Sequence, residues 1–259
     1  RIAGYAAKVI AASGLLKNGF SFQTGAGGAS LATAAYLKEI MLKEKIQGSF
    51  ALGGITGYLV DMMESGCFQS IMDVQCFDLK AVESIRTNPR HIEISALHYA
   101  SPRAKSTAAQ ALDVVVLGAT QMDLDFNVNV HTNSDGILMG GSGGHTDVAA
   151  GAKMSVIVAP LSRARTSLVV DRVDCISTPG ETVDVLVTQY GPAVNPRRPD
   201  LKERFRAAGL PVYEIGELKE IAEKLNGVAQ PVNGVGKKVV GQVLNRDGSI
   251  LDRIYQVTV

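Results

Sequence analysis

The sequence predicts an α/β domain in which helices cover both faces of an open, mixed and mainly parallel sheet. Two observations favour this class. Apolar residues run almost without interruption through 113–117 and 154–159, as expected of strands that are buried on both faces of a parallel sheet. Near the start of the chain, a strand, a glycine turn and a helix follow one another twice in succession, which is typical of α/β layers.

Local periodicity assigns the elements in order. The first helix covers residues 1–15, and the two strand–turn–helix units join strand 20–23 to helix 31–45 and strand 49–52 to helix 58–66. The remaining predictions are strands at 69–74, 167–170, 175–177 and 183–187, helices at 78–86, 199–209 and 216–225, a hairpin at 128–139, a linker at 226–236 and a second hairpin at 237–259. We therefore predict a main domain over 1–230 and a β-hairpin appendage over 231–259.

Composition limits the function. Apolar residues make up 46% and charged residues 20% of the 259 residues, as in a globular chain. A net charge of +1, 5% aromatic residues and the absence of Trp argue against a nucleic-acid partner, and no apolar run is long enough to span a bilayer. Three cysteines without paired spacing indicate a reduced compartment, neither a disulfide frame nor a metal site. We expect a cytoplasmic protein.

The first glycine loop, Gly25–Ser30, follows a strand and precedes a helix. Such a loop lets the backbone approach a ligand closely, and the helix start offers N–H groups to a phosphate, a carboxylate or an oxyanion. A dinucleotide site would need Gly where Ser30 stands, so a nicotinamide cofactor is not expected. A plain packing turn is the alternative. We predict that Gly27 and Gly28 are catalytic and that Gly25 and Gln23 bind substrate.

The second glycine loop, residues 140–144, has four glycines in five residues between a predicted hairpin and a short helix. Two consecutive backbone N–H groups there could point at one oxygen, as an oxyanion hole requires. The alternative is a crowded crossing of two backbones. We predict that Gly143 and Gly144 are catalytic and that Ser142 binds substrate.

Several segments carry a family resemblance. Gly140–Lys153, Gly25–Leu37 and Thr188–Ala193 resemble glycine-rich segments of acetyl-CoA hydrolases and acyl-CoA transferases. The chain resembles the citrate lyase α subunit family much more closely, through Phe20–Ala32, Gly54–Tyr58, Asp73–Asp78 and Gly143–Asp147. This second resemblance covers essentially the whole chain. It matches only the carboxyl-terminal half of that subunit, in keeping with a sequence that begins as if inside a helix.

The resemblance implies a CoA-transferase-like fold, shared with sugar-phosphate isomerases, and a citrate CoA-transferase activity. The acyl donor would be acetyl-CoA or the phosphoribosyl-dephospho-CoA arm of an acyl carrier protein, and acetate would be released. The implied partners are the acyl carrier protein (γ) subunit, the lyase (β) subunit and the subunit's own amino-terminal half. No covalently bound cofactor is implied.

One turn departs from the wider family. Covalent acyl-CoA transferases carry a nucleophilic Glu in a turn that matches Gly54–Gly57, and Gly57 stands at the position of that Glu. The resemblance therefore implies that citrate itself attacks the thioester and that a mixed acetyl-citryl anhydride forms without an enzyme nucleophile. In this turn we predict that Gly54 and Thr56 bind substrate.

Citrate carries about three negative charges at neutral pH, so cations are expected near the glycine loops. The candidates are His145, Lys153, Arg163 and Arg165, of which an Arg suits a carboxylate best. For each Arg a surface ion pair is the alternative, and for His145 a helix cap. Asp147 is expected to bond backbone amides at the start of the helix.

Other residues have plainer interpretations. Cys67 and Cys76 lack a partnering His or base within a motif and are interpreted as small buried apolar residues, and His91 as structural. Three other functions stay open: an acyl-CoA hydrolase or another CoA-transferase, a sugar-phosphate isomerase, and a ligand-sensing domain of the same architecture.

Overall fold

The computed structural model describes residues 1–25 and 27–258. The helices, in chain order, are α1 (Ile2–Ala12), α2 (Gly28–Lys43), α3 (Gly57–Glu64), α4 (Leu79–Thr87), α5 (Ala96–Ala100), α6 (His145–Gly151), α7 (Pro199–Ala207) and α8 (Ile215–Asn226), with 3₁₀ turns at Ala108–Ala111 and Gly180–Thr182. The strands are β1 (Phe22–Thr24), β2 (Gly48–Ile55), β3 (Phe68–Cys76), β4 (His91–Glu93), β5 (Val114–Leu117), β6 (Gln121–Asp123), β7 (Val128–Asn129), β8 (Met154–Val158), β9 (Ser162–Arg163), β10 (Thr166–Ser167), β11 (Val169–Val170), β12 (Val185–Val187), β13 (Pro192–Val194), β14 (Val235–Leu244) and β15 (Ile250–Val257).

Eight strands of the described chain form one sheet in the order β13-β12-β8-β5-β1-β2-β3-β4. Every neighbouring pair is parallel except β12 and β13. From β1 the chain winds outward through β2, β3 and β4, and then it returns to place β5 on the other side of β1. The winding direction therefore reverses between β1 and β5, and ligands of open α/β sheets bind beyond the carboxyl ends of strands at such a point.

Helices pack on both faces of this sheet, which confirms the predicted fold class. The alternation along β5 shows the two faces directly. Val114 and Val116 belong to one core cluster with α1, α2, α3 and α7, whereas Val115 and Leu117 belong to the other with α5, α6 and α8. The apolar run at 113–117 is therefore a strand covered on both sides, for the reason that predicted it. None of the helices in the described ranges has the length and apolar character needed to cross a membrane.

Several predicted elements differ from the structure. Residues 128–139 form no continuous hairpin, because β7 pairs with β6 and only one bridge, Thr132 to Leu138, closes the following turn. The strand predicted at 167–170 is divided between β10 and β11, and 175–177 contains no strand. The tail does form an antiparallel pair, β14 with β15. The division into two domains stays a prediction.

Candidate active site

The first glycine loop lies at the carboxyl end of β1, at the point where the winding reverses. The Gly25 amide donates to Val116 O at 2.9 Å, which ties the loop to β5. Ala26 lies outside the described residues. Helix α2 begins after Gly27, and no described side chain caps its first amides. A Cβ added at Gly27 or Gly28 would meet nothing within 4 Å, so packing among the described atoms does not require glycine at either position.

The second glycine loop lies beside the carboxyl end of β5. It ends at α6, whose first residue, His145, donates its amide to Ser142 O at 3.1 Å. Gly143 has a φ of +55°, a left-handed conformation that favours glycine. Within the described chain, the Gly143 and Gly144 amides donate to no backbone acceptor. A Cβ at Gly143 would meet nothing within 4 Å, which argues against a crowded crossing of two backbones.

A single tyrosine side chain joins the end of β1 to the second glycine loop. The Gln23 amide Nε2, on β1, donates to the Tyr99 hydroxyl at 2.7 Å. A Cβ added at Gly144 would lie 2.6 Å from the Tyr99 ring and 2.9 Å from its hydroxyl oxygen. Gln23 and Gly144 therefore contact the same side chain, and the second loop lies close to the end of β1, from which the first loop leaves. Burial raises the pKa of Tyr99 to about 12, so the hydroxyl keeps its proton at neutral pH.

Gln23 also contacts the end of β2. Gly53 has a φ of +106°, and a Cβ there would lie 2.8 Å from the Gln23 amide carbon. Gln23 Oε1 is buried and has no hydrogen-bond partner among the described atoms. The same is true of the hydroxyl oxygen of Thr56, the residue that follows β2. Buried polar atoms are rarely left unpaired, so each of these oxygens marks a position where a polar ligand would be expected.

His145 holds the second loop against β5 and carries no charge. Its Nδ1 accepts from the Thr178 hydroxyl at 2.8 Å, and its Nε2 donates to Gly118 O at 2.9 Å. Burial lowers the pKa of His145 to about 4. The expectation that this residue supplies a positive charge is therefore wrong, because both ring nitrogens are used inside the protein and the ring is neutral at pH 7.

Two further expectations about charges are also wrong. The Lys153 ammonium lies 2.7 Å from the Asp113 carboxylate. These two residues precede the parallel strands β8 and β5, so the ion pair lies at the amino edge of the sheet, opposite the glycine loops. Asp147 does not cap α6; its carboxylate accepts from Arg246 Nη1 at 2.7 Å, a residue of the C-terminal hairpin. The partner of each of these two side chains is distant in the sequence.

Arg163 and Arg165 are exposed and form no ion pair with any described residue, which removes the surface ion pair as an explanation. Arg163 lines a cavity of about 280 Å³ at the carboxyl edge of the sheet, together with Met139, which precedes the second glycine loop. Arg165 is not among the lining residues. Ala164 and Arg165 hold left-handed φ angles of 49° and 62°, a strained arrangement for residues with a Cβ that often marks a functional turn.

Comparison with known proteins identifies the family. Residues 1–257 match the family model described as citrate lyase, alpha subunit. The chain belongs to this citrate lyase alpha subunit family. It is 50% identical over 256 residues to the citrate lyase alpha chain of Klebsiella pneumoniae, and the match covers 99% of this chain and 50% of that one. The chain thus spans about half the length of the curated relatives that it matches.

Comparison with solved structures supports the same family and the same fold. A crystal structure of a Streptococcus mutans protein, described as the alpha subunit of citrate lyase in complex with citrate, aligns with a TM-score of 0.97 and 48% identity over 99% of this chain and 50% of that chain. RipA from Yersinia pestis aligns with a TM-score of 0.58 and 18% identity over 86% of this chain and 52% of that chain, a likeness of fold alone.

The turn after β2 carries glycines at positions 54 and 57, and its contacts show what surrounds each of them. The Gly57 amide donates to the Asp78 carboxylate at 2.7 Å, and a Cβ there would lie 3.2 Å from the Lys80 side chain. Gly54 packs against Phe77, whose ring would lie 2.0 Å from an added Cβ. In this member of the citrate lyase alpha subunit family, packing therefore accounts for Gly54. No carboxylate side chain exists at position 57 to attack a thioester.

A separate group of side chains lies farther along the same sheet edge. Asp73, Cys76 and His91 place one ligand-type atom each within 4.8 Å of one another. The interpretation of Cys76 as a small buried apolar residue without a partnering base is wrong, because Asp73 and His91 lie beside it in the folded chain. Its thiol donates to Asp73 Oδ2, which lies 3.0 Å from His91 Nε2. Sequence spacing could not reveal this group, because β4 brings His91 beside β3.

Proposed function

We propose that the full subunit transfers acyl thioesters as a citrate CoA-transferase and that this chain supplies the glycine loops of its active site. The observation that carries the proposal is the shared contact of Gln23 and Gly144 with Tyr99, because it joins the second loop to the end of β1, from which the first loop leaves. Family membership and the citrate complex of the Streptococcus mutans relative support the choice of substrate.

The chemistry needs alignment more than a nucleophile. A citrate carboxylate oxygen adds to the acetyl thioester carbonyl, and the resulting oxyanion collapses to a mixed anhydride and a carrier thiolate. The thiolate then adds to the citryl carbonyl, and acetate leaves. Two tetrahedral oxyanions form in this sequence, and preorganised N–H donors stabilise such charges without reorganisation. The Gly143 and Gly144 amides are suited to this role, as they donate to no backbone acceptor in the described chain.

Each candidate residue receives a role from its position. The start of α2, after Gly27 and Gly28, would face the thioester or a carboxylate, and Arg163 would bind one citrate carboxylate from the adjoining cavity. Gln23 and Thr56 would offer their unpaired oxygens to substrate hydroxyl or amide groups. The acyl donor would be acetyl-CoA or the phosphoribosyl-dephospho-CoA arm of the carrier protein.

The partners follow from the same proposal. The carrier protein would present the thioester, the lyase β subunit would cleave the citryl thioester, and the subunit's amino-terminal half would complete the cleft. We expect this half alone to be inactive or poor, and full activity of the isolated half would contradict that arrangement.

A product assay tests the proposed reaction. Full-length subunit is mixed with acetyl-CoA and citrate, and citryl-CoA and free acetate are measured. We expect both products, with acetate release dependent on citrate. Acetate release that does not depend on citrate would indicate a thioesterase. An acyl or CoA adduct trapped on any side chain with hydroxylamine or borohydride would contradict direct attack by citrate.

A further inference from the structure

The group of Asp73, Cys76 and His91 has the composition of a metal site. It combines a carboxylate, a thiol and an imidazole, three different ligands that bind Zn²⁺ and related transition metals. Asp73 Oδ2 is 2.9 Å from Cys76 Sγ and 3.0 Å from His91 Nε2, and all three atoms lie within 4.8 Å of one another. A single cation at their centre could contact all of them.

The Asp73 and His91 atoms that face away from the group already have hydrogen-bond partners. Asp73 Oδ1 accepts from the Gln75 amide at 2.6 Å, so Oδ2 is the oxygen that faces the other two ligands. His91 Nδ1 pairs with the Ser84 hydroxyl at 2.9 Å, so Nε2 faces inward. Metal-binding histidines usually have a partner of this kind on their second nitrogen, because it sets the orientation and tautomer of the ring.

The charge around these side chains is negative and favours a cation. The carboxylates of Asp73, Asp78 and Glu93 lie near the Cys76 sulfur, and Asp73 Oδ2 is 2.9 Å from it. A divalent cation would offset the same carboxylates and stabilise the thiolate.

We propose that Asp73, Cys76 and His91 bind one divalent cation of the zinc class. Thiolate and imidazole ligands select such an ion over Mg²⁺ or Ca²⁺, which prefer oxygen ligands only. Cys76 is partly exposed, whereas Asp73 and His91 are buried, so the ion would enter from the Cys76 side and keep water as its fourth ligand. This proposal does not depend on the proposed transferase activity.

Binding is a ligand exchange in which no redox step occurs. The hydrated cation exchanges all but one of its waters for the carboxylate oxygen, the imidazole nitrogen and the sulfur, and the Cys76 thiol releases its proton to solvent. The ring proton of His91 moves from Nε2, which faces Asp73, to Nδ1, where Ser84 Oγ accepts it. The bound ion would connect β3 to β4 and, through Ser84, to α4. Loading the site should therefore stabilise this edge of the sheet.

The probe is Co²⁺, whose thiolate complexes have a charge-transfer band in the near ultraviolet. Chelator-stripped, fully reduced protein is titrated with Co²⁺. We expect one equivalent to bind with this band, and Cys76→Ser to abolish the band and weaken binding at least about tenfold. Cys67→Ser is the matched control, because Cys67 is the same residue type elsewhere in the core and should leave the band unchanged. No band in the unaltered protein, or the same band in Cys76→Ser, would overturn the proposal.

A second variant keeps the test decisive if Cys76→Ser folds poorly. Ser84→Ala leaves all three ligands in place and removes only the partner of His91 Nδ1. We expect it to keep the band and to weaken Co²⁺ binding about 10- to 100-fold. We also expect Zn²⁺ to raise the Tm of the unaltered protein. Unchanged Co²⁺ affinity in Ser84→Ala, or no rise of Tm with Zn²⁺, would contradict the site.

Discussion

Gln23 and Tyr99 are joined by a hydrogen bond of 2.7 Å between the amide nitrogen of Gln23 and the hydroxyl oxygen of Tyr99. The bond connects the end of the central strand β1 to the short helix α5, and the Tyr99 ring then packs against Gly144 of the second glycine loop. Tyr99, which lies between the two glycine loops in the sequence, thus connects the end of β1 to the second loop. The geometry of the proposed oxyanion site depends on this contact.

Removal of the Tyr99 hydroxyl tests that contact. Tyr99→Phe keeps the ring against Gly144 but leaves the buried Gln23 amide without its acceptor, which should lower the free energy of unfolding by about 1–3 kcal/mol. We expect kcat of the full-length subunit to fall more than KM rises, because alignment is disturbed while the cavity is kept. Denaturant unfolding and the acetate-release assay measure both. Tyr36→Phe, on the exposed side of α2, is the control and should change neither.

A methyl group at Gly144 should disturb the same contact with Tyr99 from the side of the second glycine loop. In Gly144→Ala the new Cβ would lie 2.6 Å from the Tyr99 ring, so the ring or the loop must shift. A displacement of about 1 Å at reacting groups can cost about 100-fold in rate, and we expect a loss of this order in kcat. Gly216→Ala is the matched control, because a Cβ on that residue of α8 would meet nothing within 4 Å. Near-normal kcat in Gly144→Ala would count against an alignment role for the loop.

Arg163 should contribute to citrate binding. A charge-assisted hydrogen bond to a carboxylate contributes about 1.5–3 kcal/mol, so Arg163→Ala should weaken citrate binding roughly 10- to 100-fold. Arg163→Lys should recover only part of this loss, because Lys cannot form the two-pronged contact. Calorimetric titration of the full-length subunit with citrate measures both variants. Arg103→Ala, at another exposed Arg, should bind citrate normally. Equal affinity in Arg163→Ala and Arg103→Ala would remove Arg163 from the site.

His145 predicts a loss of stability in mild acid. Its folded pKa of about 4 lies below the ordinary value of 6.5, so the unfolded chain binds one more proton between these values. The stabilisation is complete above pH 6.5 and disappears as the pH falls toward 4, by about 3 kcal/mol in total. Unfolding free energies measured across this range should show the decline. The decline should be shallower in His145→Gln than in the unaltered chain. His98→Gln, at an exposed His, is the control and should show the original slope.

The site was only partly predictable from its own residues. The glycine loops were found because glycine spacing after a strand is a local signal, and their positions at the ends of β1 and β5 agree with it. Tyr99 was missed because α5 is only five residues long and its periodicity is too short to detect. The Asp73, Cys76 and His91 group was missed because α4 separates His91 from the other two residues in the sequence, and the three meet only through the pairing of β3 with β4.

Local patterns in the sequence determined the layered α/β class, the buried runs at 113–117 and 154–159, the C-terminal hairpin and both glycine loops. These features follow from residue preferences and from side-chain periods of a few residues. The tertiary structure decided that His145 is neutral, that Lys153 pairs with Asp113 and that Asp147 pairs with Arg246. The charge and the partner of a side chain depend on burial and on atoms brought near by strand pairing, and no local pattern contains that information.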